Sequence, residues 1–68
     1  MEIKHEVISK PKYGSDIDIC TFYLLENNHW VAFGNGTINK KSGLMSITVC
    51  TYTPAKLELE AYVRNCNE

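Results

Sequence analysis

No run of apolar residues in this sequence approaches the roughly 20 that a membrane helix requires, so no transmembrane segment is expected. The chain opens on the charged residues Glu2, Lys4 and Glu6 with no apolar stretch behind them, which argues against a signal peptide. Charge of one sign is equally lacking. Seven Lys and Arg stand against eight Asp and Glu, a net charge of -1. That balance gives neither the long-range pull of a basic protein on polyphosphate nor the acidity of a DNA mimic. The cysteines, Cys20, Cys50 and Cys66, are odd in number and show no Cys-x-x-Cys spacing. A secreted mini-protein would carry an even framework, and a zinc site would carry paired ligands. Three reduced thiols in a cytoplasmic protein are the expectation, with one disulfide plus a free thiol as the alternative.

Catalytic equipment is thin. A nucleophilic site needs Cys or Ser beside a base that a third group orients. Only His5 and His29 could be that base, and His29 flanks a turn at the far end of the sheet from Cys20. Asp16 and Asp18 would point the same way on a strand, but no third oxygen cluster lies near in sequence to complete a cation site. No glycine-rich phosphate loop precedes a helix, since Gly34-Asn35-Gly36 falls inside a strand, where it suggests a bulge or the close approach of another element. The chain therefore reads as non-enzymatic, with no metal and no cofactor expected.

What is present is enough apolar side chain for one core. A hydrophobic fraction of 44 % and four tyrosines support collapse, and 68 residues leave no room for a second core. Residues 2–9 alternate, Ile3, His5 and Val7 against Glu2, Lys4 and Glu6, the period of an edge strand with one wet face. Lys10-Pro11-Lys12-Tyr13-Gly14-Ser15 breaks it. A second strand spans about 16–26 and a third about 29–38. Asn27-Asn28 between them suits a two-residue primed turn, because asparagine tolerates positive φ. A turn at 39–42 leads to a fourth strand over 44–52, rich in β-branched residues. Thr53-Pro54 reads as N-cap and first helical residue, and Ala55, Leu59, Tyr62, Val63 and Cys66 form one helical stripe. The predicted fold class is α+β. It is a four-stranded antiparallel meander with one C-terminal helix packed on one face (ββββα), a single domain over residues 1–68.

Hairpin registers sort the sheet into two faces, because opposed residues share a face. A turn at 27–28 pairs Glu26 with His29, Leu25 with Trp30, Leu24 with Val31, Tyr23 with Ala32 and Phe22 with Phe33. A turn at 39–42 pairs Ile38 with Gly43, Gly36 with Met45, Gly34 with Ile47 and Ala32 with Val49. One face then carries Ile17, Ile19, Tyr23, Leu25, Trp30, Ala32, Ile38, Met45, Ile47 and Val49. Gly34 and Gly36 on it leave room for a helix backbone, so this face is the expected core. The reverse face carries Cys20, Phe22, Leu24, Val31, Phe33, Leu44, Cys50 and Tyr52. One helix cannot cover both.

The functional expectation follows from that surplus. The reverse face, with Phe22, Leu24, Val31, Phe33 and Tyr52 as the candidate contact residues, is expected to form a homodimer or meet another protein. The chain reads as a small protein-interaction module acting as a regulator or inhibitor, of the size class carried by phages and plasmids among others. The alternative is nucleic-acid binding through a basic tip, where Lys10, Lys12, Lys40 and Lys41 converge at one end of a meander.

Overall fold

In the computed structural model, which describes residues 1–9 and 16–68, the alternating segments become four strands. They are β1 (Ile3–Ser9), β2 (Ile17–Glu26), β3 (His29–Asn39) and β4 (Met45–Cys50). They pair antiparallel in the order β1-β2-β3-β4, a meander with β1 and β4 at its edges. A 3₁₀ turn (Thr53–Ala55) feeds the helix α1 (Lys56–Cys66), so the observed architecture is ββββα, as expected.

Local chemistry explains the joints. Asn27 and Asn28 take φ of 51° and 65°, the primed-turn geometry that matches strand twist, and Glu26 pairs with His29 across it. The second turn occupies 40–43, not 39–42. Asn39 closes it: its N–H donates to the Leu44 carbonyl at 2.8 Å, and its Oδ1 accepts from the N–H groups of Lys41 and Ser42 at 2.9 and 3.1 Å. Ile38 therefore pairs with Met45 and Gly36 with Ile47, two residues beyond the expected register. Thr53 caps nothing, because it lies inside the 3₁₀ turn whose N-cap position falls on Tyr52. Glu58 in the first turn of α1 and Arg64 in the last complement the helix dipole.

One inserted residue moves every later side chain of a strand to the other face. Three such irregularities occur: one passes over Ile8 on β1, between the Val7–Cys20 and Ser9–Ile19 pairs, and the other two set the faces of β3 and β4. Phe33 has no partner on β2, since Ala32 pairs with Tyr23 and Gly34 with Phe22. Thr48 is passed over in the same way between the Gly36–Ile47 and Asn35–Val49 pairs. The expected Phe22–Phe33 pairing fails here, and with it the assignment of faces. Trp30 and Ala32 share a side with Ile17, Ile19, Tyr23 and Leu25, whereas Gly34, Gly36 and Ile38 share one with Cys20, Phe22 and Leu24.

Helix α1 covers the second of these sides. Cys20, Phe22, Leu24, Phe33 and Met45 from the sheet meet Ala55, Leu59 and Val63 from the helical segment, with Ile3, Ile38, Ile47, Cys50 and Tyr62 packed around them. Phe22 and Phe33, expected on an exposed face, are 0 % and 2 % exposed. Cys66, expected in the buried stripe, is exposed. The glycines serve a different neighbour from the one expected. A Cβ on Gly36 would lie 2.6 Å from the Phe22 ring, and one on Gly34 would lie 2.6 Å from the Val49 carbonyl oxygen. The space is held for an aromatic ring and the next strand's backbone rather than for the helix backbone.

Phe22→Ala is expected to lose about 3–5 kcal/mol through transfer and cavity terms. That is most of the ~3–10 kcal/mol that a chain of this length holds. Ile19→Ala, on the uncovered side, should stay within about 0.5 kcal/mol. Urea denaturation followed by circular dichroism compares them, and equal losses would contradict this division of faces.

Candidate interaction surface

The side of the sheet opposite the helix is built around β2. Ile17, Ile19, Tyr23 and Leu25 alternate with the buried Cys20, Phe22 and Leu24 to form an apolar spine, interrupted between Ile19 and Tyr23 by Thr21, which is itself buried. Trp30 and Ala32 of β3 widen it through their pairing with Leu25 and Tyr23, and Val49 of β4 joins them because the Thr48 insertion turns it to this side. Ile19, Trp30 and Val49 are 43 %, 40 % and 47 % exposed. Glu6, Asn35, Thr37 and Ser46 border the spine through their pairings with Thr21, Ile19 and one another. Lys4 leans across from β1: its Nζ lies 4.7 Å from the centre of the Trp30 ring and 5.3 Å from that of Tyr23, and 3.2 Å from Glu6 Oε1. These contacts hold the two aromatic rings in place by cation–π attraction.

The five residues expected at a contact surface do not form one. Phe22, Leu24 and Phe33 lie in the core under α1, while Val31 and Tyr52 remain exposed. The side that one helix leaves open is the opposite one, and Trp30 and Ile19 are on it. Part of this was visible beforehand: Ile17, Ile19, Tyr23, Leu25, Trp30 and Ala32 do share a face. What reversed their role was Phe33. A usable signal was the aromatic residue set against glycine, an arrangement in which a ring covers the bare backbone of the neighbouring strand. The basic tip is also altered. Lys40 Nζ lies 3.8 Å from Asp18 Oδ1, and Lys41 Nζ lies 3.3 Å from Asp16 Oδ2, so both of these lysines face a carboxylate. Lys10 and Lys12 lie outside the described residues.

On the helix side, titratable groups gather around Tyr62. Its hydroxyl shares a 2.6 Å hydrogen bond with His5 Nδ1, and its ring meets those of Phe22 and His5 edge-on at 6.3 and 5.9 Å. Burial pushes the hydroxyl above its ordinary value of 10.0, and the neighbouring Cys66 thiol pushes it further. Burial likewise raises the Cys20 thiol above 9.0, against weaker lowering by backbone hydrogen bonds. A thiol held protonated in this way is a poor nucleophile at neutral pH. Cys20 also lies six residues along β2 from Glu26, the cross-strand partner of His29, about 20 Å of strand. Among the described residues no group of three or more His, Cys, Asp or Glu could hold a metal ion, and no helix is long and apolar enough to cross a membrane. No protein-family model matches the chain, and no curated protein and no solved structure was found to be similar to it.

Both shifts favour the neutral forms in the folded state. The stability they contribute is complete below pH 9.0 and is lost as pH climbs through the raised values. Urea midpoints measured across an alkaline pH series should hold steady to about 9.0 and then fall. In Cys20→Val the start of the fall should move toward 10.0. An unchanged onset would show that Cys20 does not set it.

Proposed function

We propose that this domain is a non-catalytic protein-interaction module that regulates or inhibits a partner protein by laying its open sheet face on an apolar surface of that partner. The observation that carries this reading is the exposure, among the described residues, of Ile17, Ile19, Trp30 and Val49 around the half-buried Tyr23 and Leu25, on the side of the sheet opposite the helix. Each such side chain contributes roughly 1.5–3 kcal/mol when fully buried, a large share of what a small domain can hold. An apolar centre inside a polar border is also how protein interfaces are built, and tryptophan and tyrosine are enriched among the residues that dominate their energetics.

A phosphate-binding role has less support. The two described lysines of the tip each face a carboxylate, and Lys4, the cation on the open face, is engaged by Glu6 and by both aromatic rings. Stacking of bases on Tyr23 and Trp30 would have to displace it.

Trp30 is the only tryptophan and sits on the proposed surface, so it reports on docking directly. Tagged protein should recover a partner from host cells, and adding the purified partner should shift Trp30 emission to the blue. Ile19→Asp should abolish both effects without unfolding the chain. Leu57→Asp, on the exposed helix surface, should leave them intact. A partner retained by Ile19→Asp at unchanged affinity would rule out the open face as its site.

A further inference from the structure

The two edges of the sheet are unequal. β1 carries Lys4 and Glu6, the kind of charge that discourages strand pairing. β4 reads Met-Ser-Ile-Thr-Val-Cys, and no charged residue or proline occurs anywhere from 42 to 53. A six-residue β-branched edge without charge is a template for another strand unless something covers it.

At one end something does. The Met45 N–H donates to Asn67 Oδ1 at 2.7 Å, and Asn67 Nδ2 donates to the Met45 carbonyl oxygen at 2.9 Å. This is the pair of bonds that a residue of a fifth strand would make, supplied by a side-chain amide just past the end of α1. It shows that the Met45 backbone groups point away from β3. In an antiparallel ladder every second residue does the same, so the N–H and carbonyl of Ile47 also point outward. Beside Ile47, Thr48, Val49 and Cys50 runs a groove of about 440 Å³, walled on its far side by Thr53, Lys56 and Glu60.

Lys56 and Glu60 stand one helical turn apart with opposite charges, and neither has an ion-pair partner among the described residues. We infer that this groove is filled by β4 of a second copy, the two β4 strands pairing antiparallel about a two-fold axis normal to the sheet between Ile47 and Cys50. A two-fold interface must be self-complementary, with residue i meeting j and j meeting i. Here the axis runs the two helices antiparallel along the seam and sets Lys56 of each copy against Glu60 of the other. The Asn67 clamp ends the pairing at Met45 and stops the strands from sliding into longer registers. The product is an eight-stranded sheet with both helices on one side and both open faces continuous on the other. It does not depend on the docking role of the open face.

Sedimentation velocity over a concentration series tests it. Wild type should show a reversible monomer–dimer equilibrium. Lys56→Glu, which lines up like charges across the axis, should weaken it by ~10-fold or more. Lys56→Glu with Glu60→Lys restores opposite charges and should return the dimer to within ~3-fold of wild type. In parallel, amide hydrogen exchange at Ile47 should slow as protein concentration rises. A chain that stays monomeric, a dimer indifferent to Lys56→Glu, or an Ile47 amide whose exchange ignores concentration would each overturn the inference. A dimer broken by Ile19→Asp but not by Lys56→Glu would place self-association on the open face instead.

Discussion

One residue too many at Phe33 organises this domain. Up to Ala32, β3 follows its hairpin partner residue for residue; beyond it, the ladder resumes one step out of phase. The insertion is held by packing on three sides. Phe33 itself is buried, Gly34 presses against the backbone of β4 and the Leu59 side chain, and the Phe22 ring lies against Gly36 where a Cβ would be. A ladder without the insertion would turn both glycines to the other face and take Gly36 away from the Phe22 ring.

The same phase shift divides the labour between the faces. Cys20, Phe22, Leu24 and Met45 gather under α1 with the re-phased Gly34, Gly36 and Ile38, and Ile17, Ile19, Tyr23, Leu25 and Trp30 are left to make the open surface. Eleven helical residues are enough for this because α1 is tied at both edges of the sheet. Tyr62 reaches His5 on β1, and Asn67, just past the last turn, clamps Met45 on β4. Between these ties Leu59 and Val63 face the core, while Lys56 and Glu60 overhang the β4 edge. A small domain has little stability to spare, and here it is concentrated in one layer of contacts between helix and sheet.

Strand order, both turn regions and the position of the helix were legible from local signals. Asn27-Asn28 needed only the tolerance of asparagine for positive φ, and the Ala55, Leu59 and Val63 repeat needed only the helical period. Which side of the sheet received the helix was not legible. Gly34-Asn35-Gly36 signals a bulge in β3, but period-two reasoning does not say which residue is inserted, and so does not say where the faces exchange. Phe33 is simply another apolar residue between Ala32 and Gly34 when the sequence is read alone. The consequence fell on the candidate surface: Phe22, Leu24 and Phe33 changed from contact residues to core, and Ile19, Trp30 and Val49 changed the other way.

Sequence by itself determined that this chain makes four strands and a helix and that one helix packs on only one sheet face. These depend on residues within a few positions of each other, through backbone preference and periodicity. Which face stays open, that the tip lysines meet Asp16 and Asp18, and that an asparagine at the chain's end closes part of the β4 edge were decided only in three dimensions. Each is a contact between residues distant along the chain or displaced by the bulge, and only the folded packing of ring against glycine selects it.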